Sequence, residues 1–289
     1  MALWFWRKSS LRGGRLCRAN PSWLAQGTGH RSEFDPQGLY FEIHFMGEDM
    51  FNSKVFLAEF VGTFALVFFG VNAGLFVKDD LIGLAAVYGL TMVAFVFAYG
   101  KISGAHLNPA ITFGFALNGS VKWLQAAFYW LAQFAGAILA VFFFKTLLES
   151  LGGDVSRAIA AGYLVDSQPI LSMVVQAILA FVLVSVVLNA AAAEKGSVLA
   201  GMAVGAALAI VAVVGIPFTG DIVNPARTLA TAIFAGPSLT NVYTYVIYLF
   251  GPLLGSTLAV IVLNFLSGTA EETDDDKETE AEEVAESAV

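Results

Sequence analysis

The chain has 289 residues, 57% of them hydrophobic and 13% charged, against roughly 25% charged in an ordinary soluble domain. The net charge of −8 belongs to the ends of the chain: six of 15 basic residues precede Glu33, and ten of 23 acids lie between Glu271 and Glu286. One cysteine, Cys17, excludes an intrachain disulfide framework and a Cys-based metal site, and His30, His44 and His106 lack ligand spacing, so neither metal nor cofactor is expected.

Residues 1–53 read as a basic, then polar extension without expected order. The first 32 are Arg-rich, acid-free and carry Trp4, Trp6 and Trp23. An organellar transit peptide and a peripheral basic anchor share that bias. The preferred third reading is a misassigned start, since Met46 or Met50 would open directly on the first apolar segment.

Residues 54–267 contain six long apolar segments, at 54–77, 81–100, 122–147, 169–193, 197–216 and 241–266. Each is long enough to cross roughly 30 Å of hydrocarbon in about 20 residues. In lipid each must satisfy its backbone hydrogen bonds internally, which predicts helices and an all-α membrane protein. Lys54, Lys101, Lys122 and Lys195 fall on the same side as the basic N-terminus, with only Lys78, Lys145 and Arg157 near the other. The positive-inside bias then places both termini in the cytoplasm.

Two further apolar pieces, 107–117 and 223–235, are only half a span long. Both carry Asn-Pro-Ala near the start: Asn108, Pro109 and Ala110 in one, Asn224, Pro225 and Ala226 in the other. Asn is a strong N-cap, and Pro suits the next position because its missing N–H would have no helical partner there. Each box therefore predicts the start of a re-entrant half-helix.

The segments repeat. Phe64, Leu66, Val67 and Asn72 match Phe181, Leu183, Val184 and Asn189 at an offset of 117, and the boxes recur at 116. Such similarity signals duplicated halves, about 54–148 and about 169–267. Each half has three spans, so the second must be inverted, and the half-helices enter from opposite faces and meet near the midplane. Two N-termini meeting there place two partial positive charges in the middle of the membrane. The oxygens of Asn108 and Asn224 are expected to cap the helices while their amides donate inward. Water can then pass while the proton wire is interrupted and cations are repelled. Two coincidental Asn-Pro turns would not fall at matching repeat positions.

"SGAHLNPAIT" at 103–112, "NPAR" at 224–227 and "AEFVGTF" at 58–64 resemble the signatures of the aquaporin (major intrinsic protein) family. The resemblance covers about 54–267. It implies an aquaporin-like bundle of six transmembrane helices plus two half-helices, arranged as a homotetramer with one pore per subunit. It also implies passive passage of water or small neutral solutes through the lipid bilayer, with no enzymatic chemistry. A plasma or inner membrane location is expected; nucleic acid is not an expected partner.

Arg227 stands in an apolar stretch, where a guanidinium usually faces a water-filled path; snorkelling to the interface is the alternative. The resemblance makes it part of the extracellular constriction, with Tyr88, Ala212 and Asp221 at the remaining positions. Water-selective members resemble one another in having His where this chain has Ala212, which implies a wider opening here. Asp221 either pairs with Arg227 and partly cancels its field, or caps the half-helix. Thr228 leans toward water as permeant, whereas "YLFGP" at 248–252 resembles the glycerol branch.

Glu59 is a lone carboxylate within a span, expected to accept backbone N–H groups of a re-entrant loop, with a proton relay as the alternative. The family has Glu at both repeat positions, and here the second is Gln176, which keeps the acceptor without the charge. His106 is expected to bond neighbouring backbone or to line the cytoplasmic vestibule. Gly62, Gly70, Gly136, Gly201, Gly205 and Gly255 read as close helix crossings. Residues 268–289 read as a solvated, disordered acidic tail. The competing classes are a glycerol or small-solute facilitator with water as minor permeant, and a coupled secondary transporter, for which Glu59 is the one coupling candidate.

Overall fold

The structure, a computed structural model, describes residues 51–76, 80–153, 168–193, 197–235, 243 and 246–267. The basic extension up to residue 50, the acidic tail beyond 267, and Lys78, Arg157 and Lys195 lie outside the described residues, with the readings attached to them.

Helix α1 covers Ser53–Phe76, α2 Leu81–Ser103, α3 Pro109–Leu117 and α4 Trp123–Ser150. Then come α5 over Pro169–Ala193, α6 over Val198–Thr219 and α7 over Pro225–Ala235. Helix α8 runs Val246–Ser267 and opens with a π-helical turn, Val246–Phe250. Among the described residues, α1, α2, α4, α5, α6 and α8 are long and apolar enough to cross a membrane. Helices α3 and α7, of 9 and 11 residues, are half that length. No strand occurs among the described residues.

The ends of the helices follow from individual side chains. The Asp80 carboxylate accepts from Gly83 N at 2.8 Å and opens α2, and the Ser197 hydroxyl accepts from Ala200 N at 3.1 Å and opens α6. Both α2 and α6 stop on a left-handed glycine, Gly104 at φ 89° and Gly220 at φ 70°. Each glycine N–H returns to a carbonyl four residues back, Gly100 and Ile216 respectively. These two caps, 116 residues apart, turn the chain back into the bundle ahead of each half-helix.

The spans pack pairwise: α1 on α2 and α4, α2 on α6, α5 on α6, and α5 on the first turn of α8. Close approach is set by glycines. A Cβ on Gly136 of α4 would collide with the Phe60 carbonyl of α1, and one on Gly255 of α8 with the Ala177 carbonyl of α5. These two crossings are equivalent in the two halves. At the α2–α6 crossing, Gly89 and Gly205 face each other, each leaving room for the other's carbonyl.

Two glycines read as crossing residues do something else. A Cβ on Gly62 would run into the Leu107 side chain, and one on Gly70 into the Tyr88 ring. These positions on α1 seat side chains of the first re-entrant loop and of the expected constriction.

Candidate functional site

The two half-helices meet at their N-termini through a reciprocal pair of hydrogen bonds. Asn108 Nδ2 donates to the Val223 carbonyl at 2.9 Å, and Asn224 Nδ2 donates to the Leu107 carbonyl at 2.9 Å. Each Asn oxygen caps its own helix: Asn108 Oδ1 accepts from Ala110 N at 2.9 Å, and Asn224 Oδ1 from Ala226 N at 3.1 Å. Pro109 and Pro225 are the first helical residues, with Ala110 and Ala226 buried behind them. Each amide thus spends one hydrogen on the opposite loop and retains a second. The cross-bonds require the carbonyls of Leu107 and Val223 to turn across the interface. Both residues hold positive φ, 52° and 60°. Such a backbone is strained for non-glycine residues, all the more for β-branched Val223, and persists only where the surroundings hold it.

For the first loop, the holder is Glu59. Its Oε1 accepts from Ser103 Oγ at 2.6 Å and His106 N at 2.9 Å. Its Oε2 accepts from Leu107 N at 2.8 Å and Gln133 Nε2 at 2.8 Å. Gln133, from α4, also reaches Thr112 Oγ1 at 2.9 Å. The His106 ring bonds Thr112 Oγ1 through Nδ1 at 3.1 Å and stacks on Phe115 with centroids 4.3 Å apart. Its side chain therefore meets a hydroxyl on the half-helix. Gln133 is the residue that sequence reasoning missed; a lone amide in an apolar span was the available signal.

Gln176 departs from expectation. Its Nε2 donates to Thr219 Oγ1 at 2.5 Å, while its buried Oε1 has no hydrogen-bond partner among the described residues, so it takes no loop N–H there. An amide oxygen was expected to serve as acceptor; the side chain is instead oriented by the hydroxyl at the end of α6.

Arg227, 8% exposed, is held on three sides. Its Nε donates to Tyr88 Oη at 3.1 Å, and its Nη1 to the Gly220 carbonyl at 3.1 Å and to Asp221 Oδ1 at 2.7 Å. The other carboxylate oxygen, Asp221 Oδ2, accepts from Thr228 Oγ1 at 2.5 Å and Asn224 N at 3.3 Å. The two readings of Asp221, ion pair and helix cap, thus occur together, one on each oxygen. The guanidinium and carboxylate sum to zero charge, and among the described residues the Nη2 donors of Arg227 are left for other partners. The structure joins Tyr88, Asp221 and Arg227 by direct bonds. Ala212 brings only a wholly buried methyl group, in the apolar cluster that contains Tyr88, Ile222 and Val223. Among the described residues, no three His, Cys, Asp or Glu side chains gather as a metal site would need.

Around the two boxes and Arg227 the arrangement offers hydrogen bonds and fixed helix dipoles. The family model described as Major intrinsic protein matches residues 48–263. Glycerol uptake facilitator protein-like 6 of Lactiplantibacillus plantarum is 34% identical over 208 residues, covering 71% of this chain and 94% of that one. Aquaporin NIP2-2 of Zea mays is 34% identical over 224 residues, 74% of this chain and 71% of that one. Among solved structures, the aquaglyceroporin from Plasmodium falciparum shares the fold with a TM-score of 0.58 at 24% identity, over 72% of this chain and 93% of that one.

Proposed function

The chain belongs to the major intrinsic protein family, and from that premise we propose that its pore runs past the paired Asn boxes and the Arg227 constriction. It is a membrane channel that passes water and small neutral solutes passively, and it is not an enzyme. Asn108, Pro109 and Ala110, with Asn224, Pro225 and Ala226, form the waist; Tyr88, Ala212, Asp221 and Arg227 form the constriction. Glu59 and His106 belong to the support of the first loop. The observation that carries this reading is the reciprocal pair of Asn amide bonds, which brings two helix N-termini together at the centre of the bundle. Two positive dipole ends and two remaining amide hydrogens there orient a passing water by its oxygen, which breaks the proton wire and repels cations.

The finer assignments follow from the same frame. Water is the main permeant and glycerol a secondary one: Ala212 puts no bulky side chain at the fifth-span position, while Thr228 spends its hydroxyl on Asp221. The protein works as a homotetramer in the plasma or inner membrane, with both termini cytoplasmic. Glu59 is a strut, because four donors already occupy its two oxygens and a coupling carboxylate needs a free one.

Stopped-flow light scattering on proteoliposomes in sucrose, glycerol and urea gradients tests the reading. Water flux well above empty liposomes, with slower glycerol entry, is expected. Water flux no faster than the empty control would sink it. Saturating flux that concentrates solute would establish the coupled transporter instead.

A further inference from the structure

The two halves of the chain are copies, so each residue of one loop support has a counterpart in the other. Most of the frame around both loops matches, although Ala105 holds a positive φ of 50° and its counterpart Asp221 does not. Tyr129 Oη donates to the carbonyl of Ser103 at 2.7 Å, and Tyr248 Oη donates to that of Thr219 at 2.6 Å. Gly104 and Gly220 turn the chain, and Leu107 and Val223 hold the same strained conformation. Inside that shared frame the charges differ. In the first half the carboxylate sits on the span, as Glu59, and the residue that matches Asp221 is Ala105, without a polar side chain. In the second half the span carries Gln176 and the carboxylate lies in the loop.

Hydrogen bonding around the two span positions has reversed accordingly. Ser103 Oγ donates to Glu59 at 2.6 Å. Its counterpart Thr219 Oγ1 instead accepts from Gln176 and donates to the Gly215 carbonyl at 2.9 Å. Gln176 Oε1 and Ser172 Oγ, one turn apart on α5 and both wholly buried, have no hydrogen-bond partner among the described residues. Gln176 Oε1 thus takes no donor from the second loop, whereas the Glu59 oxygens take two backbone N–H groups of the first. Asp221 meanwhile bonds the half-helix at Asn224 N and Thr228 Oγ1 and the guanidinium of Arg227.

We propose that the second half of this channel has moved its loop-supporting carboxylate from the span to the loop, so that Asp221 replaces a carboxylate at position 176 and, by the same move, positions Arg227 and balances its charge. This rests on the constriction reading given above. The consequence is a constriction held by an ion pair and electrically neutral, where a carboxylate at 176 would leave Arg227 without its direct partner. Asp221 is thereby a positioning residue that sets selectivity through Arg227.

The move is tested by reversing it. Full-length wild type, Gln176→Glu, Asp221→Asn and the double variant are compared by thermal unfolding in detergent and by water and glycerol flux in proteoliposomes. Asp221→Asn is expected to lower the melting temperature and to cut water flux roughly tenfold, the scale of one lost charge-assisted hydrogen bond. Gln176→Glu is expected to destabilise the wild type, where Asp221 is already in place and a second buried carboxylate has no cation beside it, and to stabilise the protein that already carries Asp221→Asn, where the loop lacks its carboxylate. That change of sign is the signature of an exchanged pair. The double variant should regain stability while its glycerol-to-water flux ratio departs from wild type, since Arg227 is no longer neutralised.

Additive losses, or an Asp221→Asn protein that melts and conducts like wild type, would overturn the inference. A double variant that recovers the wild-type ratio along with its stability would overturn the charge-balancing role. If Asp221→Asn alone gives no folded protein, recovery of folded protein in the double variant supports the exchange, and failure to recover it counts against it. A wild-type protein without water flux would sink the channel reading, yet the thermal cycle would still judge this one.

Discussion

Glu59 shows how much one buried side chain can organise. A carboxylate offers acceptors only, and its four partners are all donors, two of them the N–H groups of His106 and Leu107. Glu59→Gln keeps the shape and replaces one oxygen with an amide NH2, which then faces two donors. Each unpaired buried donor costs about 1–3 kcal/mol, so a loss of about 2–6 kcal/mol is expected, with water flux falling as Leu107 leaves its strained position. Thermal unfolding in detergent beside stopped-flow flux checks this; an unchanged melting temperature would remove Glu59 as a strut. At this scale the sequence was legible where a residue's chemistry is singular. An Asn before Pro, a Glu in a span and an Arg in apolar surroundings each admit few explanations. The amide cross-bonds of Asn108 and Asn224 were not legible, because they depend on positive φ at Leu107 and Val223, which no residue type announces. Nor was the division of Asp221 between Arg227 and Thr228, since sequence spacing does not say which oxygen faces which donor.

Among the elements, lengths and punctuation were readable and seating was not. Hydrocarbon thickness fixes span length, and Asn-Pro fixes where α3 and α7 begin, so these elements stand out from composition alone. The same glycine-rich pattern, however, serves two purposes. Gly89 and Gly205 make a backbone crossing, whereas Gly62 and Gly70 make room for Leu107 and Tyr88. Only the three-dimensional partner separates the two. The crossing gives a prediction with an internal control. A Cβ on Gly205 would lie 2.5 Å from the Gly89 carbonyl, a backbone atom that cannot swing aside, while one on Gly74 meets nothing within 4 Å. Gly205→Ala is expected to destabilise by about 1–3 kcal/mol as α2 and α6 are forced apart. Gly74→Ala should be neutral or stabilising by up to about 1 kcal/mol through helix propensity. Melting temperatures of the two variants in detergent decide it, and equal effects would mean that the crossing tolerates separation.

For the whole molecule, orientation follows from where charge survives on a surface otherwise apolar. Ile82, Leu90 and Leu199 stand 68%, 68% and 78% exposed on α2 and α6, as lipid-facing residues do. Lys54, Lys101 and Lys122 are exposed at the start of α1, the end of α2 and the start of α4, which parity assigns to one face. At the opposite end of α4, Lys145 pairs with Glu149, so its charge adds little there. The positive excess therefore lies on the face of the α3–α4 connection, which the positive-inside bias predicts to be cytoplasmic. Ser120 lies in that connection and Ser150 at the far end of α4, both exposed. In a Cys17→Ser background, Ser120→Cys and Ser150→Cys should react with a membrane-impermeant maleimide from opposite sides. In intact cells only Ser150→Cys is expected to label; in inverted vesicles only Ser120→Cys. The reverse pattern would turn the molecule over and place Arg227 on the cytoplasmic side of the boxes. Labelling of both from one side would break the parity argument itself, because α4 would then not span.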